Sequence, residues 1–195
     1  MFKRAEVIIS PSECINHFRS YEGSVSHFYL NTLGVPSIGI GCPVRLKEDA
    51  MGLELYNNYD NHSATFQEKV EEWERFRTLE TGKDVLYYHK RSSYYARNTF
   101  LELLFTRSLQ NIINEIRDKV CDLEEFKPLA QVVLLDMAFS QGVKKLTTEF
   151  QRFIQAFLLR DYAGAALSCE RDFENNARNN WARETLMQLQ KEKIS

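Results

Sequence analysis

Residues 23–44 constrain this chain more than any other stretch. They include no charged side chain, yet they hold four of the chain's eight glycines along with Ser, Asn, Thr and two prolines. A run so broken and so polar does not span a membrane. Residues 25–30 and 35–44 are β-like, and Asn31, Thr32, Leu33 and Gly34 supply turn residues between them. Within the second segment Ile38 and Ile40 alternate with Gly39 and Gly41. That pattern reads as a strand with a bare face, which another chain or a ligand can approach closely.

A helix leads into this hairpin. Ser10, Pro11 and Glu13 form a capping-box start with proline at the first helical position. Ile15, Phe18 and Glu22 then follow on one stripe, and Gly23 is the stop. Glu22 therefore ends an apolar face in the last helical turn. Desolvation and the negative end of the helix dipole both favour its protonated form there, the state a general acid needs.

Downstream the chain turns helical. An amphipathic helix is expected around Phe66, Val70, Trp73 and Phe76, stopped near Gly82, and residues 84–89 read as a short strand. The longest helix is expected over residues 99–120. Thr99 and Glu102 form its capping box, and its stripe is Leu101, Leu104, Phe105, Leu109, Ile112, Ile113 and Ile116. Residues 129–139, after Pro128, are apolar nearly all round, as in a helix enclosed by others, and Gly142 ends them. Further helices are expected at 148–159, 161–170 and 180–193. The fold class is α+β: a small N-terminal lobe over 1–98 with a hairpin, and a helical C-terminal lobe over 99–195, with a cleft expected between them.

Composition excludes several functions. With 25 Lys and Arg against 27 Asp and Glu, and no like-charge block, nothing predicts a nucleic-acid partner. Thirteen Phe and nine Tyr suffice for a packed core. Cys14, Cys42, Cys121 and Cys169 form no CxxC pair, and His17, His27, His62 and His89 show no ligand spacing, so no metal or cofactor is expected. The first ten residues lack a cleavage-site pattern and read as no signal peptide. The chain is expected to be made in the cytoplasm, without membrane insertion.

Certain motifs resemble a known family. Glu22-Gly23, then Tyr29, then Gly34-Val35-Pro36-Ser37-Ile38-Gly39-Ile40-Gly41 is similar to the active-site hairpin of phage-type lysozymes and endolysins, which reads E-G, Y-x-D, G-x-P-T-I-G-I-G-H. Asp136-Met137-Ala138-Phe139-Ser140-Gln141-Gly142 resembles that family's N-M-V-F-x-x-G helix end, and residues 150–166 resemble its next two helices in spacing. The resemblance covers residues 10–44 and 99–190, while 45–97 is an insert without counterpart. It implies a lysozyme-like fold and a muramidase that hydrolyses the β-1,4 bond between N-acetylmuramic acid and N-acetylglucosamine. Its partners would be peptidoglycan glycan strands. Glu22 would protonate the leaving oxygen, and Ser37, at the family's threonine position, would place the attacking water. Tyr29, Phe139, Ser140, Gln141, Phe150 and Arg178 would bind substrate.

Asn31 is the main departure, because it stands at the family's aspartate position. An amide is neither a base nor a charge that offsets an oxocarbenium ion. No acidic residue lies between Glu22 and Glu48 to replace it. Losing one carboxylate of such a pair costs on the order of a thousandfold in rate. Cys42 and Ser108 stand where the family has a His–Asp structural pair, so both charges are gone together. The arginine that partners the catalytic glutamate falls near Trp181 by strict counting, which leaves Arg178 or Arg183 to fill the role.

Plainer readings accompany each residue. Glu22 can be an exposed helix-end glutamate, Asn31 a turn asparagine, Ser37 a strand serine, and Phe139 and Phe150 core aromatics. Tyr87, Tyr88, Tyr94 and Tyr95 could stack on sugars or belong to a partly packed insert. An enzyme of this kind without an export signal would act on the cell wall after release or secretion, as an endolysin or an antibacterial effector. The insert would then suit an immunity or delivery protein. The alternative is a catalytically degenerate lysozyme-like module that binds glycan or a protein partner.

Overall fold

The computed structural model describes residues 10–172 and 176–194. The fold is α+β: helices with a small antiparallel sheet and a second, two-stranded one. The chain forms two compact units, Ile15–Ser108, and Leu109–Ser195 together with Met1–Cys14. Among the described residues no helix is long and apolar enough to cross a membrane.

In the unit Ile15–Ser108, α1 (Pro11–Glu22, which begins just outside it) opens with the expected capping box. Ser10 N donates to Glu13 Oε2 at 2.7 Å, and Glu13 N donates to Ser10 Oγ at 3.4 Å. Gly23, at φ +71°, ends the helix and turns the chain into β1 (Val25–Leu30). β2 (Pro36–Gly39) pairs antiparallel with β1, placing Tyr29 opposite Ser37 and Leu30 opposite Pro36.

The single strand expected over 35–44 is in fact two strands. Gly39 and Gly41 take φ of +68° and +63°, conformations that L side chains rarely adopt, and between them the chain reverses into β3 (Cys42–Pro43). The bare face at Gly39 is filled from within, since a Cβ there would lie 3.3 Å from Leu101 Cδ2. A Gly39→Ala protein is therefore expected to lose about 1–2 kcal/mol, because positive φ and a tight contact add, and denaturant unfolding reads the loss.

The insert does much more than decorate the hairpin. It contains α2 (Lys47–Met51), β4 (Tyr56–Asn57), α3 (Phe66–Arg77), α4 (Val85–His89) and β5 (Tyr94–Tyr95), and β4 pairs with β5. Leu53, Leu55, Trp73, Phe76 and Tyr88 from these elements share one apolar cluster with Phe28, Ile38 and Leu101. Trp73 Nε1 donates to Val44 O at 2.8 Å, and Glu72, buried at 3% exposure, accepts from Ser93 N at 2.9 Å.

The expected strand at 84–89 is α4. Asp84 Oδ1 accepts from Tyr87 N at 2.7 Å, and this cap outweighs the β-propensity of a Val-Leu-Tyr-Tyr run. Tyr88 is buried, its hydroxyl donating to Glu80 O, and Arg91 stacks on Tyr87 at 3.6 Å. The tyrosine pairs are thus largely engaged in packing. His27 on β1 is buried against α4, its Nε2 3.3 Å from Val85 O, and burial holds it below the usual imidazole range.

The long helix is α5 (Asn98–Lys119), whose residues up to Ser108 belong to this unit. Thr99 lies inside it, so the expected capping box does not form. Glu102 instead pairs with Arg19 of α1 at 2.6 Å.

The second unit takes the rest of α5, a 3₁₀ turn at Leu123–Glu125, and α6 (Pro128–Gln141), whose residues 133–138 are all buried, as its all-apolar sequence required. The helix expected over 148–159 is α8 (Gln151–Leu158), and a helix that was not expected, α7 (Val143–Thr148), precedes it. α9 (Tyr162–Ala166) is shorter than expected, and α10 (Asn176–Ile194) starts earlier. Phe126, Phe153, Phe157 and Tyr162 form the aromatic centre of this unit.

Candidate functional site

In the unit Ile15–Ser108 the candidate residues gather around the hairpin. Glu22 is half-buried at the end of α1. Tyr29, on β1, feels its charge. Burial first, then Glu22, then Cys42 push the phenol up, against a backbone hydrogen bond from Gly41. The Cys42 thiol is pushed up to about 12, mainly by burial and also by Glu22, while a hydrogen bond with Ser108 and the backbone at Ile40 oppose the shift. The structure thus brings Glu22, Tyr29, Cys42 and Ser108 into one neighbourhood. Tyr29 and Cys42 both keep their protons at neutral pH, so an O–H and an S–H stand near the carboxyl.

Asn31 is occupied by the turn. Its Oδ1 accepts from Leu33 N and Val35 N, both at 3.0 Å, while its backbone closes the same loop through Val35 O and Gly34 N. The acceptor end of the amide is therefore committed, and only Nδ2 remains to meet a ligand. Ser37 is 1% exposed and donates to Val35 O at 3.1 Å. With its proton committed, that hydroxyl can orient a water only by accepting from it.

In the unit with Leu109–Ser195, Phe139, Ser140 and Gln141 end α6 half-buried, and Gln141 Nε2 lies 3.4 Å from Ser140 Oγ. Phe150 sits at the α7–α8 corner. It lines an open cavity of about 530 Å³ along with Lys145, Arg152, Phe153 and Asp172, and none of the other candidates joins it there. Arg178 is buried. Its Nε donates to Asp136 Oδ1 at 3.0 Å, and its Nη2 lies 3.0 Å from the same oxygen. Arg183, the other candidate, is exposed and donates to Asn180.

Sequence reading missed Arg171. It is 1% exposed, and its Nη1 donates to Asp136 Oδ2 at 2.7 Å and to Ser140 Oγ at 3.2 Å. Asn179 Oδ1 accepts from its Nε at 3.0 Å. In its polar run Arg171 looks like a surface residue, but a signal did exist: a lone aspartate within the apolar α6 requires a buried cation. Among the described residues no three His, Cys, Asp or Glu side chains gather as a metal site.

Neither the protein-family models nor the curated proteins contain a match to this chain.

Proposed function

We propose that this protein is a lysozyme-like muramidase that binds peptidoglycan glycan strands and cleaves them with Glu22 as proton donor. What supports the reading is a lone carboxyl at the end of α1, near the protonated Tyr29 hydroxyl and Cys42 thiol, beside a glycine-rich hairpin that resembles the lysozyme one. In this mechanism Glu22 delivers its proton to the leaving glycosidic oxygen as the C–O bond breaks. A water that donates a hydrogen bond to Ser37 Oγ attacks the anomeric carbon, and that water's surplus proton passes through solvent back to the Glu22 carboxylate. Ser140, Gln141 and Phe150 are the proposed sugar contacts of the unit Leu109–Ser195, while Arg178, buried against Asp136, supports that unit without touching sugar. As an endolysin or antibacterial effector, the protein would meet an immunity or delivery partner through its insert. The test is turbidity of stripped cell walls. Clearing by the wild-type protein supports the enzyme.

A second reading, a glycan-binding module without chemistry, is favoured by one observation. Asn31 supplies no charge, and its side-chain oxygen is used by the turn. Wall binding without clearing supports that reading. Asn31→Asp separates the two further. A carboxylate there can keep both turn hydrogen bonds and also face the oxocarbenium ion, so clearing is expected to rise at least tenfold, about 1.4 kcal/mol of barrier. An unchanged rate in an already active protein shows that the second carboxylate is dispensable.

A further inference from the structure

We propose that Arg171 is the positioning residue for the glycan-contacting side chains of the unit Leu109–Ser195, an inference that rests on the muramidase reading. Arg171 reaches two of the three contacts proposed there, and the buried Arg178 besides. Its Nη1 holds Ser140 Oγ directly at 3.2 Å, and Gln141 Nε2 meets that same oxygen at 3.4 Å. The same Nη1 grips Asp136 Oδ2 at 2.7 Å, and Asp136 in turn holds Arg178 Nε at 3.0 Å. One guanidinium thus sets the carboxylate that orients another, and also a hydroxyl one helical turn further along α6.

Arg171 is itself fixed on its far side. Asn179 Oδ1 accepts from its Nε at 3.0 Å and from its backbone N at 3.3 Å, and Asn179 Nδ2 donates back to Arg171 O at 3.0 Å. The fork is therefore pre-organised before any ligand arrives.

Stability alone does not account for this residue. Two guanidiniums, each no more than 3% exposed, share the Asp136 carboxylate, and Arg171 Nη2 is buried with no hydrogen-bond partner among the described residues. Desolvating a second cation against a carboxylate already paired gains little, and an apolar side chain of similar size often does as well. What Arg171 adds is geometry. Its Nη1 holds both Asp136 Oδ2 and Ser140 Oγ while Arg178 Nε reaches Oδ1 at 3.0 Å and Oδ2 at 3.3 Å, so that Arg178 and Ser140 are fixed relative to one another.

The test compares wild type with Arg171→Lys, which keeps the charge but cannot reach Asp136, Ser140 and Asn179 at once. Stripped peptidoglycan is the probe, with sedimentation binding read beside the unfolding midpoint. Wall affinity is expected to fall about tenfold, and the Arg178 Nε–Hε resonance to lose its protection from exchange. A variant with a lowered midpoint but wild-type affinity makes Arg171 a purely structural cation and overturns the inference. So does a fully protected Arg178 signal in the variant. Should Arg171→Lys fail to fold, Asn179→Ala loosens the same fork from α10 and is read the same way. Wild-type protein that binds no wall overturns the muramidase reading and this inference together. Equal binding by wild type and variant overturns this inference alone.

Discussion

Glu22→Gln is expected to reduce wall clearing by on the order of a thousandfold, about 4 kcal/mol of barrier, while wall binding stays within a few fold. Glutamine keeps the shape of the side chain and its hydrogen-bonding atoms but carries no transferable proton. The size of the loss follows from the absence of a substitute. Tyr29 and Cys42 feel the Glu22 charge, yet burial pushes both up, so neither delivers a proton readily near neutral pH. No acidic residue lies between Glu22 and Glu48 in the chain. The measurement is the initial rate of turbidity loss, with sedimentation binding on the same walls as the control. Clearing that survives the substitution removes Glu22 from the chemistry and with it the proposed mechanism.

Asp136→Asn is expected to destabilise the unit Leu109–Ser195 by about 3–5 kcal/mol, the largest stability effect foreseen for a single substitution here. Asp136 is wholly buried and holds Arg171 on Oδ2 and Arg178 on Oδ1. Asparagine keeps one acceptor and turns the other into a donor that faces a guanidinium. The charge that Asp136 sets beside two buried guanidiniums is then lost. By contrast, Arg171→Met leaves Asp136 paired with Arg178 and removes the unpartnered Nη2, so its cost is expected to stay below about 2 kcal/mol. Urea unfolding of the two variants orders them. Arg171→Met proving the more damaging would mean that the cluster is held by Arg171's contacts to Ser140 and Asn179, with charge balance secondary.

Local rules read from the chain succeeded where the structure is local. The Ser10–Glu13 box, the turn at Asn31, the stop at Gly23 and the all-apolar α6 rest on neighbouring residues and came out as written. The hydrogen bond between Cys42 and Ser108 was not foreseen, because two uncharged residues far apart in the chain announce no pairing. Failures came where packing overrode propensity. Val-Leu-Tyr-Tyr reads as a strand until Asp84 caps it and Tyr88 finds a core, and Glu102 serves Arg19 before it serves its own helix. Apart from the Trp73–Phe76 stripe of its one amphipathic helix, the insert looked polar because its other core residues, Leu53, Leu55, Ala64 and Tyr88, are scattered along it with no helical or strand period to announce them.

The amino-acid order alone determined the α+β class, the helix-end glutamate before the hairpin, and the uncharged asparagine in the hairpin's turn, since those depend on residue types at short spacing. Tertiary structure alone decided which charged residues are buried and what they hold. Arg171 is 35 positions from Asp136 in the chain and 2.7 Å from it in space. No periodicity encodes that distance, because an ion pair across a core is set by how three helices pack and leaves no mark on the local pattern.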